Sequence, residues 1–459
     1  MRTLKCLLLM CCVLGVYVFP VFAAEGIKFD FHGQMLQVVG STNNSLSLAG
    51  KHKSGPTDFF SYDGRLNSKG FETKYMDYLN SVGTTFGLSK ARLRFEAQTE
   101  DELAKFVYGL EVGTINWGDK EKNFGLSGDG LTQETRFAYA EVQAVQGVIQ
   151  HIVRAGLQPT NISDWVWSET AAGLTYHGKT SKCNWMTGWY RGDENAKSNN
   201  TDNNYFVLKT DGEVSSNLNV GFFFIYEDSG AETTESDHYT TTHTYDRINS
   251  YLGLTANLKQ DSFFANFELI YQYGDIRFVG DSTNIENLER GAYLMNLDMG
   301  IQVNKKLKLS FNSLYASGDD NPNDQDADNF DAIDVDVKVG MILFKDSLTS
   351  SCDRFVSDAP YLLDKGLIHH ALMAEYKPDK KHKFFSAIRY LSTAKDVADD
   401  KSFIGTELDF KYAYKYNKYV SLHFESACLI PGEASDLMTA DGKNADTIVN
   451  VSTGIKFKF

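Results

Sequence analysis

The sequence predicts an all-β fold, a transmembrane antiparallel up-and-down β-barrel of eighteen strands, with sixteen as the alternative. Many runs of about nine or more residues alternate apolar and polar side chains, and a tilted strand needs this length to cross a bilayer. Beyond the N-terminal region, no segment has the ~18 uninterrupted apolar residues of a spanning helix, so a closed barrel is the only way across. Short and long connections alternate between the runs, as turns and loops on opposite sides of a membrane do.

The N-terminal segment has the features of a secretory signal peptide at 1–23. A basic start precedes an apolar stretch at 6–22, and small residues occupy the positions before a cleavage site after Ala23. The apolar stretch is too short for a membrane anchor and is interrupted by Pro20. We therefore expect export through a cleaved signal, which leaves a single barrel domain at 24–459.

The composition favours one large β body and argues against nucleic acid as a partner. The chain has 24 Tyr and 31 Phe but 7 Pro, so it is rich in aromatic residues and poor in linkers. Its formal net charge is −15, and loss of Arg2 and Lys5 with the signal would make it more negative. An acidic chain lacks the basic surface that binds phosphates. Much of the acid falls at 319–336 and 396–400, which we interpret as solvated external loops.

The strands follow one another as hairpins along the chain. The first is predicted at 27–39, and a second at 88–98 turns back at 99–103. The pair 171–180 and 183–192 is joined by two residues. Further short turns are predicted at 211–216, 259–262, 304–305, 378–382 and 415–417, and long connections at 40–85, 116–130, 158–170, 228–245, 275–288, 318–366 and 431–445.

The strand number follows from a parity argument. Counting every plausible strand gives nineteen, but both ends of such a barrel lie on the same side of the membrane, which requires an even number. A strand at 335–344 would leave an unturned stretch of about twenty residues where a short turn belongs. We therefore assign 335–344 to the long loop 318–366, which gives eighteen strands. The runs 183–192 and 203–211 are short, and without them the number would be sixteen.

The final run alternates Thr447, Val449, Val451 and Ile455 with polar or small residues and ends on Phe459. It resembles the closing strand of bacterial outer-membrane β-barrels, in which the terminal Phe belongs to the signal read by the barrel-assembly machinery. The resemblance implies a place in the outer membrane, with outer-membrane lipid against the apolar edges and the short turns on the periplasmic side. It also implies that Phe459 is an assembly signal.

An eighteen-stranded barrel is too wide for its side chains to fill, so its default interior is a water channel. Residues 152–167, IVRAGLQPTNISDWVW, are similar to the part of trimeric porins where a strand ends in a Gly-Arg-Gln-like triplet and the third loop folds inward. The resemblance implies a constriction loop at 158–170, although the acidic motif of the porin loop is absent. Its candidate residues are Asp164, Trp165, Trp167 and Glu169.

Basic side chains fall on the polar faces of the second, fourth, fifth and sixth strands. Porins similarly place an arginine ladder opposite an acidic loop, which produces a transverse field across the channel. The alternative is that these arginines pair with Glu96, Glu111 and Glu134 inside the wall, and the two interpretations are compatible. The predicted pore-lining residues are Arg92, Arg94, Arg136, Arg154 and Lys179.

Two phrases, YASGDDN at 315–321 and GTELDFKYAYKYNKYVSLHFE at 405–425, resemble segments of porins from sulfate-reducing proteobacteria and their relatives. Those proteins are homotrimeric general porins. The resemblance therefore implies a homotrimer through which small hydrophilic solutes and ions diffuse passively.

Other functions remain open alternatives. Trp165 and Trp167 could form part of a sugar-stacking track in a substrate-selective channel for carbohydrates or anions. A surface adhesin or antigen could be built from the loops 40–85 and 318–366 on the same barrel. An enzyme is not predicted, because the chain has no G-x-S-x-G elbow and its histidines are scattered.

No cofactor is expected, apart from a candidate loop-bound Ca²⁺. Asp324, Asp326 and Asp328 have the spacing that begins an EF-hand loop, and carboxylate oxygens suit Ca²⁺. However, Asn329 stands where that loop needs Gly, and no Glu ends it.

Overall fold

The computed structural model describes most of the chain from residue 26 onward. The described ranges are 26–44, 82–118, 133–192, 202–234, 243–279, 287–321, 324–344, 346–348, 359–397, 400–436 and 445–459. The predicted signal peptide at 1–23 lies outside them.

Eighteen long strands form the wall of the molecule, and each is antiparallel to the next. In chain order, β1 to β18 are Ile27–Asn44, Val82–Thr99, Ala104–Asn116, Gln133–Gln146, Ile149–Pro159, Thr170–Lys179, Cys183–Arg191, Asn204–Ser215, Leu218–Thr234, His243–Gln260, Phe263–Val279, Leu288–Gln302, Leu307–Ala316, Leu367–Tyr376, His382–Ser392, Phe403–Lys415, Val420–Pro431 and Ile448–Lys458.

The first and last strands pair and close the sheet into a barrel. Gln34 lies opposite Lys458 and Thr42 opposite Asn450, so β1 has β2 on one side and β18 on the other. Closure removes the unpaired edges that an open sheet would present. The predicted fold class and the number eighteen are confirmed. The alternative of sixteen is wrong, because the short runs at β7 and β8 are both part of the wall.

The parity argument also placed residues 335–344 correctly, since they form no wall strand. Instead, β13 pairs directly with β14, with Ala316 opposite Leu367. The connection between them contains a two-residue strand, Asp326–Ala327, parallel to β12. In the part of the chain that the structure describes, no helix is long and apolar enough to cross a membrane.

Several strands are longer than the sequence predicts. β1 continues to Asn44 and β2 begins at Val82, so the ends of the predicted loop 40–85 belong to strands, and its middle, 45–81, lies outside the described residues. Pairing of backbone groups between strands continues beyond the lipid, where both faces meet water and side chains no longer need to alternate. Hydrophobic alternation therefore marks the membrane segment of a strand and misses its polar extension.

The outer face of the wall is apolar. Along β12, Ala292 and Leu294 are buried on the inside, whereas Tyr293 and Met295 are exposed on the outside. Large exposed apolar side chains recur around the barrel, which is a surface suited to lipid rather than water. The exposed aromatic residues include Phe29, Phe31, Phe95, Phe106, Tyr271, Tyr273, Tyr293, Phe410, Phe424, Phe457 and Phe459.

The largest apolar core lies inside the barrel. It joins inward side chains of the wall to two connections. We call them the first luminal loop (160–169, between β5 and β6) and the second luminal loop (the described residues of 317–366, between β13 and β14). The wall contributes Tyr190, Tyr205, Phe223, Tyr251 and Ile270 to this core, and the loops contribute Ile162, Val166, Trp167, Phe330, Val335, Val337, Val339, Met341, Ile342, Leu343, Phe344 and Leu362. The two loops therefore narrow the lumen.

Candidate channel constriction

The first luminal loop lies inside the barrel and is bonded to side chains of the wall. The ammonium group of Lys209 on β8 donates to the carbonyl oxygens of Asn161 and Ile162 at 3.0 and 2.9 Å. The hydroxyl of Ser163 donates to Glu268 on β11 at 2.7 Å. In the sheet order, β8 is the second strand after β6 and β11 is the fifth, so the loop extends inside the barrel over this part of the wall.

The two tryptophans of this loop have different surroundings. Trp167 is 3% exposed and packs on Tyr190 and Tyr205, with ring centroids 5.0 and 4.7 Å away. Trp165 is half-buried and lines the main luminal cavity together with Asp164 and Glu169. Trp167 therefore anchors the loop in the apolar core, while Trp165 is available to a solute.

The second luminal loop is held by carboxylates of the wall. Glu407 on β16 accepts hydrogen bonds from the backbone N–H groups of Met341 and Ile342, the latter at 3.2 Å. Glu425 on β17 accepts the N–H of Leu348 at 2.6 Å. Buried backbone donors need such partners, because water cannot reach them. The inward carboxylates thus accept the backbone hydrogen bonds that a neighbouring strand would accept in a sheet.

Ion pairs fix the same loop at two further points. Asp331 is 4% exposed and lies 3.3 Å from Arg247 and 3.2 Å from Arg290. Asp346 lies 3.1 Å from Arg389 and 2.5 Å from Lys411. The interpretation of residues 319–336 as solvated loop is therefore wrong for Asp319 and Asp331, which are both buried. For Asp331, the guanidinium groups of Arg247 and Arg290 take the place of water.

The two luminal loops also bind each other. The N–H of Ile333 donates to the carbonyl of Val166 at 2.8 Å, and the N–H of Ser168 donates to the carbonyl of Asp334 at 2.9 Å. Trp167 and Asp334 form an isolated parallel bridge. The loops consequently behave as one structural unit that is pinned to several wall strands.

One wall of the lumen carries the predicted basic residues. Arg92 lies 2.5 Å and Arg136 3.0 Å from the carboxylate of Glu111, which also pairs with Lys90. Three cations thus share one carboxylate, so this wall keeps an excess of positive charge. Arg154 pairs with Glu141 at 2.7 Å. We call this surface the charged wall and define it by Arg92, Glu111, Arg136, Glu141 and Arg154.

The remaining predicted basic residues lie nearer the short turns. Arg94 pairs with Glu96 at 2.7 Å, two residues from Arg92 toward the turn that ends β2. Lys179 ends β6, is exposed, and lies opposite Gln150 and Asn184. The lining of the main cavity includes Arg92 and Arg136 but neither of these two residues. Among the described residues, the predicted pore-lining set is therefore brought together only in part.

The main cavity, about 760 Å³, lies between the charged wall and the two luminal loops. Arg92 and Arg136 line one side, and Asp298 on β12 and Asn312 on β13 line another. The loops add Asp164, Trp165, Glu169, Asp336 and Lys338. Opposite charges therefore face one another across a polar space.

The acids of the loops are not electrically equal. Burial, together with Asp336 and Asp334, raises the pKa of Glu169 to about 7, although Arg136 acts in the opposite direction. Glu169 is hydrogen-bonded to Asp336. This pair was not predicted as a pair, because the sequence places its members 167 residues apart.

The candidate Ca²⁺ ligands do not form a coordination site. The carboxylate of Asp324 accepts hydrogen bonds from the side chain of Asn321 and the N–H of Asp326 at 2.8 and 3.2 Å. Within the described residues, no group of three or more His, Cys, Asp or Glu side chains could hold a metal ion. The aspartates instead organise their own turn.

Phe459 lies at the seam of the barrel. Its N–H donates to the carbonyl of Gly33, and the N–H of Gly33 donates to its carbonyl, both at 3.0 Å. Its ring is exposed on the outside, 5.3 Å from the ring of Phe31 and 5.5 Å from that of Phe457. Its predicted role as an assembly signal stays a prediction.

Comparison with solved structures supports the barrel fold. No protein-family model and no curated protein matches the chain. The chain is similar to the solved structure of Pseudomonas aeruginosa OccK8 (OprE), with a TM-score of 0.52 and 11% identity over 94% of this chain and 98% of that one. It is also similar to Pseudomonas aeruginosa OpdQ, with a TM-score of 0.50 and 8% identity over 94% and 99%. Both neighbours are outer-membrane porins, and at these identities the likeness concerns the fold.

Proposed function

We propose that this protein is an outer-membrane porin, a channel through which small hydrophilic solutes and ions diffuse passively. The observation that carries the proposal is the polar cavity of about 760 Å³ inside a closed barrel whose outer face is apolar. Lipid outside and charged groups inside are the surroundings of an aqueous channel. The similarity of the fold to outer-membrane porins supports the same function.

The charged wall and the acidic loops would set the ion preference. Arg92 and Arg136 face Asp164 and Glu169 across the cavity, so a field runs across the path of a solute. Such a field orders water and disfavours apolar solutes, because these cannot replace the lost water contacts. The proposal therefore makes the constriction a filter for polarity and size.

A substrate-selective channel is the second candidate. The half-buried ring of Trp165 lies in the cavity lining with the amides of Asn296 and Asn312 and the carboxylate of Asp298. An aromatic face with hydrogen-bonding groups around it is suited to a carbohydrate. A saturable block of ion current by sugars, lost in Trp165→Ala, would favour this candidate over general diffusion.

The partners follow from the family resemblance and the signal sequence. We propose export through a cleaved signal peptide, insertion into outer-membrane lipid by the barrel-assembly machinery, and assembly as a homotrimer. The scattered histidines and the polar cavity inside the barrel favour a channel over an enzyme. Chemical cross-linking of the protein in native membranes would test the trimer.

Planar-bilayer recording tests the channel itself. The purified, folded protein should produce stepwise openings with ohmic conductance in potassium chloride. Heat-dependent gel mobility would verify that the barrel is folded before each measurement. A folded barrel that inserts into the bilayer and conducts no ions would exclude the proposed function.

A further inference from the structure

A pair of carboxyl groups joins the two luminal loops at the cavity. Glu169 comes from the end of the first loop and Asp336 from the second, and their side chains are hydrogen-bonded to each other. Both residues line the main cavity. A hydrogen bond between two carboxyl groups requires a proton on one of them, because two carboxylates have only acceptors.

The backbone holds this pair in place. The carbonyl of Glu169 accepts hydrogen bonds from both the N–H and the hydroxyl of Thr160, each at 2.9 Å. The N–H of Ser168 donates to the carbonyl of Asp334, two residues before Asp336, also at 2.9 Å. These bonds therefore hold the backbones that carry the two carboxyl groups beside each other.

Charged groups from three directions face the pair. Asp334 on the second loop adds negative charge, and Arg136 on β4 adds positive charge. Asp164, Arg92 and Lys338 line the same cavity. The pair is thus a titratable group set between the acidic and basic sides of the constriction.

Resting on the function proposed above, we infer that Glu169 and Asp336 share one proton and form the specificity-determining group of the channel. Loss of this proton adds one negative charge to the constriction and moves the ion preference toward cations.

The direction follows from the electrostatics of Glu169, whose pKa burial and the neighbouring acids raise to about 7. Below this pH the pair is protonated and carries about one negative charge, and above it the pair carries two. Because the pKa is raised in the folded protein, the stabilisation from the shared proton is present at low pH and is lost as the pH rises through about 7. The contact between the loops should weaken over the same range.

The test is the reversal potential of the full-length channel in a potassium chloride gradient, measured between about pH 5 and about pH 9. Wild-type protein should become more cation-preferring as the pH rises, with a midpoint near 7. One added charge at about 4 Å in water changes the permeability ratio of cation to anion by roughly fivefold. The control Asp379→Asn, in an exposed short turn, should keep the full step.

Three variants identify the group that titrates. Glu169→Gln should abolish the step near neutral pH, because the carboxyl group with the raised pKa is gone. Asp336→Asn should move the midpoint to lower pH, because the charge of Asp336 is removed while burial and Asp334 still raise the pKa of Glu169. Glu169→Asp should keep a step with a displaced midpoint, which shows that a folded constriction with two carboxyl groups is sufficient. Gel mobility before and after heating would verify folding of every variant.

The outcomes separate this inference from the proposed function. Conductance with a pH-independent reversal potential would overturn the inference and leave the channel intact. A step near neutral pH that persists in both Glu169→Gln and Asp336→Asn would also overturn it, because another group would then be responsible. Absence of conductance at every pH in folded wild-type protein would overturn the proposed function itself.

Discussion

The lumen has two kinds of wall. The charged wall on β2 to β5 presents Arg92 and Arg136 to the cavity. On β7 to β11, inward apolar side chains pack against the luminal loops, beside polar groups such as Lys209 and Glu268 that bind the first loop. We call this second surface the apolar wall and define it by Tyr190, Tyr205, Phe223, Tyr251 and Ile270. One side of the lumen thus borders the polar cavity, and another is packed against the luminal loops.

The difference shows what a strand with two apolar faces means in a barrel. β9 contains the consecutive residues Phe222, Phe223, Phe224, Ile225 and Tyr226, so the side chains on both of its faces are apolar. Phe223 and Ile225 are 1% and 0% exposed. Lipid explains only one face, so the other face needs a cover. In this protein the cover is the pair of luminal loops.

The largest effect is expected from removing the cover. Replacing residues 335–344 with a short Gly/Ser linker takes away apolar side chains that fill the lumen beside the apolar wall. We expect single-channel conductance to rise at least about twofold, because an eighteen-stranded barrel is wide when its interior is not filled. Bilayer recording measures the change, with gel mobility as the check on folding. An unchanged conductance in a folded variant would mean that the loop does not narrow the path.

The next effect compares two tryptophans of the first luminal loop. Trp167→Ala should cost about 3–5 kcal/mol, because it removes a buried ring that packs on Tyr190 and Tyr205 and leaves a cavity. Trp165→Ala should cost less than about 1 kcal/mol, because its ring is partly exposed to the polar cavity. Denaturant unfolding in detergent micelles, with protease sensitivity of the loop, measures both. Equal losses would mean that the two rings share one environment.

A smaller effect is expected on the charged wall. Arg136→Glu changes the local charge by two units and should shift the permeability ratio toward cations by roughly twenty-five-fold. Arg94→Glu should shift it less, because Arg94 lies outside the lining of the main cavity.

The smallest shift is expected from Lys179→Glu at the exposed end of β6, a matched control that changes charge by the same amount. It should alter the permeability ratio by less than about twofold, since water and salt screen a distant exposed charge. Reversal potentials in a salt gradient measure all three variants. A shift in Lys179→Glu as large as that in Arg136→Glu would contradict the assigned path.

The sequence predicted the wall much better than its contents. Lipid acts on every strand alike, so alternation in runs such as β18 reports the fold directly. The second luminal loop depends on bonds such as Glu407 to the N–H of Met341, which join residues 66 apart in sequence. One signal was present: residues 335–344 are apolar, yet parity left them no place in the wall. An apolar segment assigned to a loop has to be buried elsewhere, and the lumen was the remaining space.

The charged wall was predicted in part for a similar reason. Alternation placed Arg92 and Arg154 on the inner face, and their partners Glu111 and Glu141 lie directly opposite on the next strands. Alternation placed Arg136 on the inner face as well, but its position there depends on a change of register between β3 and β4 at Gly109 and Leu110, which no local pattern indicates. The pairing of Arg154 with Glu141 rather than Glu134 also depends on register.

The seam between β1 and β18 has a consequence for the order of events in folding. Thr42 and Asn450 are neighbours across this seam although almost the whole chain separates them. Until the final strand arrives, β1 has a row of unsatisfied backbone groups, which is a template for any other chain that meets it. Closing so long a loop carries a large entropy cost, so the seam forms late. A polypeptide that ends before Ile448 would leave β1 and β17 with unpaired backbone groups, and we expect it to aggregate or to be degraded.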